Sequence, residues 1–218
     1  TRRGELWLID NPTMAGGTRP TFTRFASGLH EPLGLAYRDG AFYAAQRGEL
    51  TRIRDGNGDG RADLYETVYA WPLSGNYHEY SYGPVFTPNG NMLVTLNLGW
   101  IGYGASLSKW RGWALEITPD GQMTPIATGL RSPAGYGYDL QGELFYAENQ
   151  GDWVGSGSIT HVEKGDFLGN PAGLVWTSDP ASPLQLRESD VPNTGEPKYD
   201  VARRVPDLKA PAVWFPHT

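Results

Sequence analysis

Apolar residues fall in short runs broken by Gly, Pro, Asn and Asp, a punctuation that favours strands and tight turns over helices. The clearest series begins with an apolar segment at 33–37 and a turn at Asp39-Gly40. It continues with an apolar strand at 41–45, a strand at 48–53 and an outer strand at 65–70. The same order returns at 83–86, 92–96, 113–117 and 123–128, with turns at Pro88-Asn89-Gly90 and Pro119-Asp120-Gly121. It returns again at 135–139, 143–147 and 158–162, with Leu174-Val175-Trp176 as the fourth strand. Repeating four-stranded units predict an all-β fold, the radial blades of a β-propeller.

An internal repeat supports the same reading. Gly28-Leu29-His30-Glu31-Pro32 with Gly34 and Tyr37 recurs as Gly129-Leu130-Arg131-Ser132-Pro133 with Gly135 and Tyr138. Tyr80-Ser81-Tyr82-Gly83-Pro84 holds the corresponding place between them, so Gly34, Gly83 and Gly135 mark a period of about 50 residues. The predicted organisation is one partial propeller domain. Residues 1–27 end a preceding blade, and 28–76, 77–128 and 129–176 are blades. Residues 177–208 are an insertion or long loop, and 209–218 open a further blade. Propellers close with about four to eight blades. Three blades with remnants therefore predict a piece of a larger ring, completed by further chain or by a partner chain.

Composition narrows the function classes. With 29 Gly, 17 Pro, 8 Trp, 12 Tyr and 7 Phe, the chain is poor material for helices and good material for pleated sheets. A net charge of −6, with both signs spread along the sequence, supplies no basic patch for nucleic acid. No apolar run is long enough to predict a membrane span. The absence of cysteine excludes disulfides, thiolate metal sites and a cysteine nucleophile.

The sharpest motif runs from Asp55 through Gly56, Asn57, Gly58, Asp59, Gly60, Arg61, Ala62, Asp63, Leu64 and Tyr65 to Glu66. It matches the calcium-loop pattern D-x-[DN]-x-[DN]-G-x5-E, and hard cations of this kind take six to eight oxygen ligands. The expected ligands are Asp55, Asn57, Asp59, Asp63, the carbonyl of Arg61, and Glu66. Flanking strands in place of helices suggest a structural clip. An Asp/Gly-rich turn without an ion is the alternative.

His78, just before the first strand of the second blade, is the candidate general base. Loops at that point of a propeller face the central channel, and an imidazole exchanges protons near neutral pH. A packed loop histidine among aromatics is the alternative. The segment 98–113, with Trp100, Tyr103, Trp110 and Trp113, suits either sugar stacking or packing against a neighbouring blade. A lyase or hydrolase using His78 with Tyr80 or Tyr82 is a third class.

Several of these segments together resemble the soluble quinoprotein glucose/sorbosone dehydrogenases. They are residues 29–36 with 42–48, His78 with Gly83-Pro84 and 91–95, Leu130-Arg131-Ser132-Pro133, and 148–152 with 162–171. The resemblance implies a six-bladed propeller that uses pyrroloquinoline quinone (PQQ) and Ca²⁺ to oxidise a sugar or alcohol. His78 is then the proton acceptor, with Arg131 beside the cofactor carboxylates or the developing charge, and Arg131, Ser132 and Asn97 at the cofactor. Gly151 and Asp152 are implied backbone ligands of a second calcium. Two positions depart from the family pattern: Asn97 stands where an acidic residue orients the histidine, and Ser132 where the family has asparagine. The Gly-Asn-Pro-Ala-Gly-Leu-Val-Trp segment at 169–176 and the Asp/Gly loop are similar to bacterial secreted propeller proteins described as membrane-bound dehydrogenases, which implies an extracytoplasmic location. The implied partner is a small sugar or a polysaccharide. A calcium-stabilised, non-catalytic module binding carbohydrate or protein is the competing class.

Overall fold

The computed structural model describes residues 4–99, 108–149, 156–192 and 196–216. Its strands are β1 (Leu6–Asp10), β2 (Thr21–Ala26), β3 (Gly34–Arg38), β4 (Ala41–Ala45), β5 (Glu49–Arg54), β6 (Leu64–Ala70) and β7 (Ser81–Phe86). They continue with β8 (Met92–Leu96), β9 (Trp113–Ile117), β10 (Met123–Thr128), β11 (Gly135–Tyr138), β12 (Leu144–Glu148), β13 (Ser158–Val162) and β14 (Val213–Trp214). One short helix, α1 (Lys198–Ala202), lies between β13 and β14. Among the described residues β1 pairs with β2, and three antiparallel four-stranded sheets follow in the orders β3-β4-β5-β6, β7-β8-β9-β10 and β11-β12-β13-β14. This is a partial β-propeller.

Burial explains why the strands differ in pattern. The middle sheet has a neighbour on each face, so every residue of β8 is buried. Met92, Val94 and Leu96 enter one core with Leu50, Trp113 and Leu115, while Leu93 turns to the other with Ala127, Leu144 and Tyr146. A mostly apolar run suits such a two-sided strand, and its one hydroxyl, Thr95, donates to the Pro133 carbonyl at 2.7 Å. On β1 and β2 the large apolar residues Trp7, Ile9 and Phe22 are exposed, as are Leu35 and Tyr37 on β3.

The repeated glycines mark close approach between blades. A Cβ on Gly34 would stand 1.9 Å from the carbonyl oxygen of Gly83, and one on Gly83 would stand 2.0 Å from the hydroxyl of Tyr136. That hydroxyl donates to the carbonyls of Tyr82 at 2.8 Å and Leu93 at 3.0 Å, tying the third inner strand to the second sheet. The innermost strands of three blades therefore meet through small residues and one phenol hydroxyl.

Two expectations are corrected. Leu174-Val175-Trp176 is not the fourth strand of the third blade but part of a 3-10 segment, Pro171–Trp176. Pro171 cannot donate to a ladder, and Asn170 caps the segment by accepting from the Ala172 N–H at 3.0 Å. The fourth strand is β14, whose Val213 and Trp214 sit opposite Ile159 and Ser158. The segment 209–218, expected to open a further blade, thus completes the third one. The proline-rich stretch before it is a packed insertion: Leu184, Val191, Val201, Val205 and Leu208 join the core that contains Trp113. Its apolar residues are too sparse for a periodic signal, yet each finds a place against the sheet.

Candidate functional site

The loops that precede the inner strands are held by a polar residue that recurs in every blade. Gln46, Asn97 and Glu148, evenly spaced along the chain, each stand at the end of the second strand and are buried. Gln46 Oε1 accepts the His30 N–H at 2.5 Å, and Asn97 Oδ1 accepts the Tyr80 N–H at 2.5 Å. Glu148 accepts the Arg131 N–H at 2.9 Å and the Ser132 N–H at 3.2 Å. Each blade therefore pins its own rim loop by a side chain that meets backbone groups the turn leaves without partners.

The segment bearing His78 is gripped hardest. Asn97 also donates Nδ2 to the His78 carbonyl at 2.9 Å, and the Asn76 side chain accepts the His78 N–H at 2.9 Å. The fully buried Arg111 donates to the Tyr80 carbonyl at 2.6 Å. Burial pulls this guanidinium down to about 10, against the opposing charge of Glu79. Glu79, itself buried, accepts from the Ser74 N–H at 2.9 Å and from the hydroxyls of Ser74 at 2.7 Å and Ser108 at 2.9 Å. The His78 ring is half-buried and sits edge-on to Tyr77 and Tyr80, with centroids 5.9 and 5.3 Å apart.

The Arg131 loop belongs to the same rim. Next to Asn97, the Leu98 N–H donates to the Arg131 carbonyl at 3.2 Å, so two consecutive residues hold the His78 segment and the Arg131 loop together. The Arg131 guanidinium reaches Ser132 Oγ at 3.3 Å. Burial raises the Glu148 carboxyl above its usual range, opposed by the Arg131 and Ser132 N–H groups. Lys198, brought by α1, donates to the Leu168 carbonyl, and burial draws it down to about 8 against the pull of Glu148.

Asn97 bonds the His78 carbonyl, and its neighbour Leu98 bonds the Arg131 carbonyl, with Ser132 next on the same loop. Asn97, expected at the cofactor, is buried and uses both ends of its amide on backbone. Gly151 and Asp152 lie outside the described residues, as do Trp100 and Tyr103. Of the aromatic segment, Trp110 and Trp113 are buried against one another, 5.0 Å between centroids, which answers for them in favour of packing. Arg47, Glu79 and Arg111 have no motif of their own. The recurrence of a polar residue at 46, 97 and 148 is the one signal in the sequence that points to the rim contacts.

The Asp/Gly loop links β5 to β6. Asp55 accepts the Gly58 N–H at 2.6 Å and the Gly60 N–H at 2.8 Å, and Asp63 accepts the Gly56 N–H at 2.6 Å. Asn57 and Asp59 accept the Asp59 and Arg61 N–H groups, each at 2.9 Å. These bonds hold the Asp55 carboxyl below the usual carboxylate range, the Gly60 N–H contributing most. Glu66 lies on β6 and is engaged by Arg52 at 3.0 Å, in a two-bond fork, and by Arg54 at 2.8 Å. Among the described residues no three acidic or histidine side chains converge as a metal site.

No protein-family model matches the sequence, and no curated protein does. Solved structures do. An oxidoreductase (glucose dehydrogenase) from Thermus thermophilus superposes with a TM-score of 0.63 at 20% identity, over 98% of this chain and 64% of its own. A glucose dehydrogenase superposes at 0.61 with 15% identity, covering 91% of this chain and 66% of its own. The PQQ-bound aldose sugar dehydrogenase of Streptomyces coelicolor superposes at 0.58 with 16% identity, covering 89% and 58%. The chain spans about two thirds of the length of the first of these, and what it shares with all three is their β-propeller fold.

Proposed function

We propose that this chain is part of a sugar or alcohol oxidoreductase of the quinone-dependent type, with His78 as the general base. The observation that carries the proposal is the join at Asn97 and Leu98, which fixes the His78 segment and the Arg131 loop on one rim. The names of the structural neighbours supply the reaction class.

The residues present fit a carboxylate-bearing cofactor. Arg131 is half-buried on a pinned loop, and a guanidinium fork matches a carboxylate. Ser132 Oγ stands beside it. PQQ, when bound, supplies the hydride acceptor. The protein's share is then positional and acid–base. The His78 imidazole, with Nδ1 buried, would take the hydroxyl proton of the substrate. The rim bonds hold the backbone that carries the imidazole before substrate arrives. Further blades, from the same polypeptide or a partner chain, would cover the exposed Trp7, Ile9 and Phe22 at one end and Val213, Trp214 and Phe215 at the other. The likeness of 169–176 and the Asp/Gly loop to secreted propeller proteins supports a place outside the cytoplasm.

The reading is tested by titrating PQQ, with Ca²⁺ present, into the full-length polypeptide and following absorbance before and after sugar. Saturable binding with sugar-driven reduction is the expected result. Absence of binding refutes the dehydrogenase.

The loop 55–63 is proposed as a calcium clip, ligated by Asp55, Asn57, Asp59, Asp63 and the Arg61 carbonyl. The support is the match to the loop pattern and the concentration of side-chain oxygens in one turn. Binding requires these oxygens to turn from their backbone partners to the ion. Ligation stabilises by about 2.7 kcal/mol when free Ca²⁺ is a hundredfold above its Kd. Chelation should therefore lower the melting temperature by several degrees, and Asp59→Ala should abolish the difference. An unchanged melting curve removes the ion from the account.

A further inference from the structure

We propose that Arg47, from the first blade, is a positioning residue for His78 in the second. The inference rests on the reading of His78 as a base. Arg47 follows the pinning residue Gln46 and has a side chain only 11% exposed. One terminal nitrogen donates to Glu31 at 2.7 Å and to the Tyr77 carbonyl at 3.0 Å, and the other donates to the Asn76 carbonyl. The guanidinium therefore spans the two peptide carbonyls immediately before His78, with Glu31 fixing its orientation. The Glu31 carboxyl is in turn held below its usual range, chiefly by its hydrogen bond to Arg47.

The backbone of Arg47 is engaged as fully as its side chain. Its carbonyl accepts Trp71 Nε1 at 2.7 Å, Ser81 Oγ at 3.1 Å and the Arg111 guanidinium at 3.5 Å. Its N–H donates to the His30 carbonyl at 3.0 Å. Arg47 thus belongs to neither rim loop but is bonded to both. Asn97 and Arg111 hold the His78 segment on its C-terminal side from within the second blade. Arg47 holds the N-terminal side, and does so from another blade. The fork matters as well as the charge, because a lysine ammonium is a compact donor that cannot span two successive carbonyls with fixed geometry.

The experiment compares Arg47→Lys and Arg47→Ala with Arg52→Lys in the full-length, PQQ-loaded protein. Arg52 makes a two-bond fork of the same kind at the outer edge of the same blade. Two readouts are taken: the kcat and KM of sugar oxidation, and the Cε1–H resonance of His78 through a pH titration. The sequence has four histidines, so the resonance is assigned by its loss in His78→Asn. Arg47→Lys should lower kcat roughly ten- to a hundredfold with KM changed about twofold or less, the signature of a misplaced catalytic group. The His78 resonance should broaden or shift its midpoint, and millimolar guanidinium should restore part of the activity of Arg47→Ala. Arg52→Lys should leave both readouts in place. If Arg47→Lys keeps full kcat and an unchanged resonance, or if Arg52→Lys moves both equally, the positioning role is overturned. A wild-type protein that binds no quinone sinks the oxidoreductase reading, and the His78 resonance then decides the positioning role by itself.

Discussion

Replacing His78 by alanine should lower kcat of the quinone-loaded, full-length protein by about 10²- to 10⁴-fold, the range over which a positioned general base acts. The loss should fall on the chemical step. Arg131 and Ser132, on a separately pinned loop, keep their place when the imidazole is removed, so the affinity for PQQ should stay within a few-fold of wild type. Stability should change little, because the ring is half-buried and the backbone bonds of Asn97 and Asn76 to residue 78 survive the substitution. A variant that keeps more than about a tenth of wild-type kcat would mean that another group takes the proton.

Much of this architecture was legible because blades repeat. Gly34, Gly83 and Gly135 announced the period, and at Gly34 and Gly83 the structure shows why no side chain is tolerated. The mostly apolar run of β8 was equally readable, since burial on two faces admits a polar residue only where it finds a partner, as Thr95 does at the Pro133 carbonyl. Where the reading failed, the cause was an apolar triplet taken as a strand. Leu174-Val175-Trp176 follows a proline and sits in a 3-10 segment, while a two-residue strand far along the chain took its place. A strand of that length carries no periodicity to detect. The site was half legible. His78, Arg131 and Ser132 stood in recognisable segments with a role implied, but Arg47, though inside the segment 42–48, and Glu79 and Arg111 act through bonds to backbone carbonyls and serine hydroxyls, which leave no pattern in side-chain type. The Asp/Gly loop shows the opposite limit. Its pattern includes Glu66, yet the strand geometry of β6 places that carboxylate against Arg52 and Arg54.

The largest loss of stability should come from Trp113→Ala, and it should reach the rim. Trp113 is fully buried at the start of β9, paired with Leu96 on one side and Thr128 on the other. Its Nε1 donates to the Gly173 carbonyl at 2.8 Å, and Trp110 packs edge-on at 5.0 Å. Truncation removes a large apolar surface and leaves a cavity, which costs about 3–5 kcal/mol, and the orphaned Gly173 carbonyl adds about 1–3 kcal/mol. For a chain of this size that is a fall in melting temperature on the order of 10–20 °C. Trp113→Phe should cost less than half as much, because it keeps most of the packing and loses the hydrogen bond. The preceding residue carries the effect to the site: the Gly112 carbonyl accepts the Leu130 N–H at 3.2 Å and Thr128 Oγ1 at 3.0 Å. Amide hydrogen exchange in the alanine variant should therefore accelerate first at Leu130 and Arg131, at temperatures where the rest of the sheet is still protected. If thermal melting shows Trp113→Ala within about 1 kcal/mol of wild type, the indole is not what anchors this part of the second blade, and the Arg131 loop draws its order from Leu98, Gly112 and Glu148.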